Sequence, residues 1–410
     1  MSEPGREAMN DCDNVRRPRH SRRTFLRAAS ALAVARTGAA RVAFAVAPAS
    51  DAGARYDRLL VLVELKGGND GFNTLVPYAD PGYYRVRPKL AVPRDRVIVL
   101  DDRVGLHPSL APLVPLWEAR ELAVLQGVGY PDPNLSHFRS IEIWDTASGS
   151  RQFLANGWLT RTFAASPTPA TFAADGVVIG SNDMGPLAGG GARALAMADA
   201  ARFMGRANLA HREPARGNAA LRHLLETEDG IVDAAARLAR PRAFATTFPA
   251  TPFGRAVRTA SEVVTADQSV AAVRITLQGF DTHRGQVGIQ PRLLGELAEG
   301  LAALRAALTE AGRWQDTLVI TYAEFGRRPA ENISAGTDHG TASVHFALGG
   351  RVAGGLYGET PSLASIGGND NVAHVLDFRA VYATALRSWW NVDARSVLGG
   401  DFAAVPFLRT

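Results

Sequence analysis

The sequence predicts an α/β protein organised on a mainly parallel sheet. The first observation is the run Leu59, Leu60, Val61, Leu62, Val63 and Leu65, apolar almost without a break. Such a run reads as a strand buried on both faces. The second is that comparable runs recur at 121–128, 271–277, 317–322 and 343–348. The third is that stretches of helical periodicity lie between them. Strands alternating with helices imply a sheet covered on both sides. The chain has 410 residues, 46% apolar and 21% charged, a globular balance with length for a large core.

Before the first strand comes a leader. Residues 1–20 are polar. Ser21-Arg22-Arg23-Thr24-Phe25-Leu26-Arg27 follows, then an alanine-rich run and the small-x-small triplet Ala43-Phe44-Ala45. Paired arginines ahead of a modest apolar stretch read as a twin-arginine signal over 1–45, with the twin-arginine translocation machinery as its partner. The bland alternative is an amphipathic helix with a chance arginine pair. The first reading predicts an exported protein, periplasmic or extracellular. Nine arginines and four acids lie in 1–45 of a chain with 45 basic and 40 acidic residues, which leaves 36 of each. The sequence pI near 9.6 is therefore largely a leader effect, and a nucleic-acid partner is not expected. The single cysteine, Cys12, also falls in the leader, so no internal disulfide and no thiolate chemistry is expected after it. The remainder, 46–410, has no second long apolar segment. It is expected not to span a membrane and reads as a single domain.

Along that remainder, Leu59–Leu65 runs into Gly67-Gly68-Asn69-Asp70-Gly71. An Asp between glycines at a strand's carboxyl end is either a turn residue or a candidate ligand or catalytic acid. A short strand is expected at 97–100. His107-Pro108 opens a helix over 109–119, with Leu110, Leu113, Leu116 and Trp117 on one face. After the strand at 121–128, helical spacing resumes at 135–144, which puts Ser136 near a helix N-terminus. Residues 186–240 are alanine- and arginine-rich and read as a helical excursion. A strand at 271–277 ends in Gly279-Phe280-Asp281-Thr282-His283. A long amphipathic helix is expected near 291–311. The strand at 317–322 ends in Ala323-Glu324-Phe325-Gly326-Arg327-Arg328, and 377–390 reads as a closing helix.

Polar residues thus recur at strand ends: Asp70, Ser136 with His137, Asp281 with His283, Glu324, and Asp338 with His339. Carboxylates and imidazoles gathered on one sheet edge suit zinc, manganese or a similar divalent ion. Each has a plainer reading. Asp281-Thr282-His283 can be a hydrogen-bonded turn, Ser136 an N-cap, and Glu324 a partner for the arginines after it. His345, inside a strand, reads as a packed core histidine, and His107 as a cap.

The segments GGNDGFNTLVPY, LHPSL, SHFRSIEIW, GFDTH, AEFGRR, GTDHGTAS and LDFRAVYAT, in this order behind a twin-arginine leader, resemble the bacterial domain-of-unknown-function 1501 family over nearly the whole mature chain. That family resembles, more remotely, the alkaline phosphatase superfamily of phosphatases, sulfatases and phosphoglycerate mutases. The resemblance implies a three-layer α/β/α sandwich with metals at the sheet edge. By it, Asp70 corresponds to the metal-bridging Asp after the first strand. Ser136 corresponds to the nucleophile opening a helix, with Ser140 a weaker candidate. Asp281, His283 and His339 correspond to the ligands of one metal. Ala323-Glu324-Phe325-Gly326 corresponds to the Ala/Ser-Asp-His-Gly that holds a second. Phe325 replaces a ligand His there, so at most one metal is expected; Asp338 either compensates or stands behind His339 as an orienting carboxylate. Two functions follow. One is metal-dependent hydrolysis of a small anionic phosphate or sulfate ester. The alternative is a non-catalytic exported binding or structural protein keeping a degenerate site. A carbohydrate- or envelope-binding role is a third, weaker possibility.

Overall fold

The computed structural model describes residues 53–197, 242–266 and 270–409. The leader at 1–45, with Arg22 and Arg23, lies outside the described residues, as does 198–241, most of the expected helical excursion.

Among the described residues, nine strands form the central sheet: β1 Leu59–Lys66, β2 Leu122–Gly129, β3 Ala174–Ile179, β4 Ala194–Met197, β5 Val270–Gln278, β6 Thr317–Tyr322, β7 Ser343–Leu348, β8 Gly355–Tyr357 and β9 Leu376–Asp377. Their order is β8-β2-β7-β6-β1-β5-β3-β4, with β9 also paired to β2. Both sides of the 198–241 segment contribute strands. The first strand is central, as its unbroken apolar run requires: Leu62 sits between Arg274 of β5 and Ile320 of β6, both in parallel register.

Side chains alternate across β1. Leu59, Val61, Val63 and Leu65 point to one core, and Leu60 and Leu62 to the other. The first core is covered by Pro252–Val264 and by the long helix Gln286–Glu310. The first of these begins where Thr251 Oγ1 accepts from Gly254 N–H at 3.0 Å and Pro252 fills the first helical position. The long helix buries Leu293, Leu294, Leu297, Leu301, Leu304 and Leu308, each worth roughly 1.5–3 kcal/mol of transfer free energy. The second core is covered by α1 His137–Thr146, α2 Trp158–Ala165 and the closing helix from Phe378, whose last turns, Thr384–Trp389, are π-helical. In chain order Pro252–Val264 is α3, Gln286–Glu310 α4 and Phe378–Ala383 α5. The result is helices, sheet, helices.

Four features differ from the sequence expectation. β7 pairs antiparallel with both β2 and β6. Residues 109–119 form a 3-10 stretch, Pro108–Leu113, and then a short α-turn, Val114–Glu118, because Pro112 and Pro115 each remove a backbone donor. Residues 194–197, assigned to the helical excursion, form the edge strand β4. Helix α4 starts at Gln286, ahead of Pro291. Gln286 is buried, donates to Asp70, and accepts from Thr282 and Thr337, which pins the extra turn.

Candidate metal centre

The parallel strands end on one edge of the sheet, and that edge carries the polar loops. β1 leads into Gly67–Asp70, β5 into Phe280–His283, β6 into Ala323–Arg327, and β2 into the loop before α1. β7 runs the other way, so its start lies at this same edge, with Ser343 opposite Val128 near the end of β2. The residues just before β7, Asp338 and His339, therefore reach the edge because the strand is antiparallel. The short ribbon Gly326–Arg327 with His339–Gly340 fixes His339 beside the β6 loop.

Three imidazoles and one carboxylate meet there. His283 Nε2 is 2.9 Å from His339 Nε2 and 3.1 Å from Asp281 Oδ1. His339 Nε2 is 3.4 Å from the same oxygen, and His137 Nε2 is 3.5 Å from Asp281 Oδ2. Among the described residues, His137, Asp281 and His339 form a group whose ligand atoms all lie within 4.8 Å of one another.

The outer ring nitrogens set the tautomers. His137 Nδ1 lies 2.8 Å from Glu324 Oε1, His283 Nδ1 3.2 Å from Asp338 Oδ1, and His339 Nδ1 2.8 Å from the Leu135 carbonyl. A carboxylate or carbonyl can only accept, so each Nδ1 carries a hydrogen, and a ring that is neutral then presents its Nε2 lone pair inward. Two Nε2 atoms 2.9 Å apart beside a carboxylate can be bridged by a hydrogen bond or by a cation held between them. Ligand atoms on a tetrahedral zinc at about 2.0–2.1 Å stand about 3.3–3.4 Å apart, close to the spacings found here. The donor set fits zinc or manganese.

The surrounding charges tune each group differently. Arg327 is fully buried and donates to Asp281 Oδ1 at 2.7 Å, Gly68 O at 2.9 Å, Thr337 O at 2.9 Å and Phe280 O at 3.1 Å, and also to Gly67 O. It ties three loops together and engages one oxygen of Asp281. Burial pushes the Asp281 carboxyl upward, but Arg327 outweighs this and holds it below its ordinary value. His137 is raised by its bond to Glu324, while burial lowers His339. Gly67 and Gly68, at φ +114° and +83°, let the β1 loop through; a Cβ would stand 2.3 Å from Asp281 N at the first and 2.5 Å from the Phe325 ring at the second.

The sequence profile of a family described as "Protein of unknown function (DUF1501)" matches residues 57–398. The chain belongs to the DUF1501 family. No curated relative matches this DUF1501 sequence. Among solved structures, it is similar to a lipoteichoic acid synthase from Listeria monocytogenes, with 10% identity, 74% of this chain and 67% of that one covered, and a TM-score of 0.33. It is similar to a sulfatase from Pseudoalteromonas sp., with 11% identity, 85% and 73% covered, and a TM-score of 0.38. It is also similar to the alkaline phosphatase of the Antarctic bacterium TAB5, with 11% identity, 73% and 94% covered, and a TM-score of 0.29. At TM-scores this low these likenesses carry no argument about the activity of the DUF1501 chain.

Of the residues singled out in the sequence, Asp281, His283 and His339 come within 2.9–3.4 Å of one another. Glu324 and Asp338 do not present their carboxylates to the same point. Both sit behind a ring as orienting carboxylates, and Asp338 serves His283 rather than His339. Asp70 is held elsewhere: it is fully buried and accepts from Arg87 at 2.6 and 3.0 Å, from Phe72 N–H at 3.1 Å and from Gln286. Four donors occupy the roughly four lone-pair sites of a carboxylate, so Asp70 acts as a scaffold charge. Ser136 is exposed at the N-cap of α1 without a capping bond, between Leu135 and His137, both of which touch the cluster. Ser140 is buried and hydrogen-bonded to Tyr130 and the Glu324 carbonyl. Phe325 is 4.3 Å from the His339 ring and 4.8 Å from that of His137, and walls the cluster. His137 was noted beside Ser136 among the strand-end polar residues but not placed in the ligand set, and Arg327 was not singled out. His137 could have been found as a histidine at the first helical position after a strand and loop. Nothing in the sequence separates Arg327 from Arg328, which faces Asn369 at the surface.

Proposed function

We propose that this chain is an exported, single-domain, metal-dependent hydrolase of phosphate or sulfate esters, with one metal held by His137, Asp281, His283 and His339. The observation that carries the reading is the convergence of three Nε2 atoms on one carboxylate, at 3.1–3.5 Å. Zinc or manganese there would supply Lewis-acid polarisation of an ester oxygen. The chain's own residues do the rest. Glu324, Asp338 and the Leu135 carbonyl hold the rings in one tautomer and orientation. Arg327 fixes Asp281 and adds a buried positive charge. Ser136, exposed at the N-terminal end of α1, is the candidate nucleophile, and the helix's positive end favours an anionic ester beside it.

Phe325 favours a second reading, an exported binding or structural protein with a degenerate site, because its ring closes one side of the cluster. One assay separates them. The mature protein should hydrolyse p-nitrophenyl phosphate or p-nitrophenyl sulfate, lose the activity in EDTA and regain it with zinc or manganese. H283A should lose it permanently, and S136A should lose it if Ser136 is the nucleophile. A protein that binds metal yet hydrolyses neither ester supports the second reading.

A further inference from the structure

The LHPSL segment takes no part in the metal cluster. Its His107, Pro108 and Ser109 line a cavity of about 360 Å³, a size common for small-ligand sites. Leu90, Val92, Val287 and Pro291 make apolar wall; Lys89 and Arg96 stand at it as cations; no Asp or Glu and no member of the metal cluster lines it. Lys89 and Arg96 are exposed, and neither has an ion-pair partner among the described residues. Glu331, which could have neutralised Lys89, instead accepts from the backbone N–H groups of Lys89 and Leu90 at 2.9 and 2.8 Å.

His107 supplies a directed donor. It is only 6% exposed. Its Nδ1 accepts from Ser109 N–H at 3.0 Å, so in the neutral ring Nε2 carries the hydrogen. Burial, with Arg96 adding to it, lowers its pKa to about 4 and keeps the ring neutral. Nε2 has no partner among the described residues, although the ring faces the cavity. Asp70, the acid that acts on His107, is itself neutralised by Arg87.

We infer that this cavity is a second binding site, for a small organic anion: a carboxylate or phosphate head held by Lys89, Arg96 and the His107 Nε2–H, and an apolar body against Leu90, Val92, Val287 and Pro291. Unpaired cations attract the head, and a buried neutral donor orients it. The site does not depend on the metal.

The test is calorimetric titration of octanoate, with 1-octanol as the uncharged control, into the mature protein in EDTA. The expected result is saturable one-to-one octanoate binding, at least about tenfold weaker in K89M/R96M and for 1-octanol. Both substituted side chains are exposed, so the variant should melt with the wild type; the single variants K89M and R96M serve if it does not. No saturable binding of octanoate, equal affinity in the variants, or equal affinity for 1-octanol would overturn the inference.

Discussion

At the scale of the residue, the centre depends on what stands behind each ring. Glu324 bonds both His137 Nδ1 and Gly67 N–H, so E324Q should keep the fold yet weaken metal binding by about 10–100-fold, the usual cost of losing an orienting carboxylate. Chelator competition measures this, and unchanged affinity would remove His137 from the ligand set. His345 makes a prediction of another kind. It is 2% exposed, neither ring nitrogen has a partner, and burial lowers its pKa to about 3. The unfolded chain takes up a proton near pH 6.5 and the folded chain does not. This histidine's penalty is therefore absent above about pH 6.5 and grows as pH falls toward 3. At pH 5 H345L should recover about 2 kcal/mol relative to its effect at pH 7, seen as a lower midpoint in acid unfolding. An unchanged midpoint would show that the ring is protonated in the fold. The role of His345 was legible from its place in an apolar strand. The role of His137 was not, because a histidine opening a helix looks like any polar first-turn residue until its neighbours across the sheet edge are known.

At the scale of the element, the site depends on where strands end and which way they run. The central strands were legible because burial on both faces leaves a continuous apolar run. The direction of β7 was not, since nothing in SVHFAL distinguishes parallel from antiparallel. Yet it decides the site: a parallel β7 would put His339 at the opposite edge. Helix α3 went unread because Pro252 sits in a proline-containing stretch that looks like linker, and the start of α4 was misplaced because its first turn is held by the tertiary bonds of Gln286. Gly68 is one of the tight points in the site loops, and the one whose neighbour is the Phe325 ring. G68A places a methyl 2.5 Å from the Phe325 ring at φ +83°, and should cost about 1–3 kcal/mol and loosen the metal by shifting Phe325 against His137 and His339. A thermal melt with the same midpoint as wild type would contradict the tight passage.

At the scale of the whole molecule, the chain is an α/β protein whose polar sheet edge gathers a group that could hold a metal, and export is part of the proposal. No helix among the described residues is long and apolar enough to cross a membrane. Export should depend on the arginine pair, because the twin-arginine route reads that pair and carries folded cargo. R22K/R23K should leave the protein in the cytoplasm, and fractionation that still finds it exported would refute the leader. The central claim is the cation itself. Elemental analysis of the purified mature protein, after dialysis and before any chelator, tests it most directly. About one equivalent of zinc or manganese per chain is expected from a single four-ligand site, falling to background in H283A/H339A while the thermal transition is retained. A wild-type protein that contains neither metal and takes up neither on incubation would contradict the account.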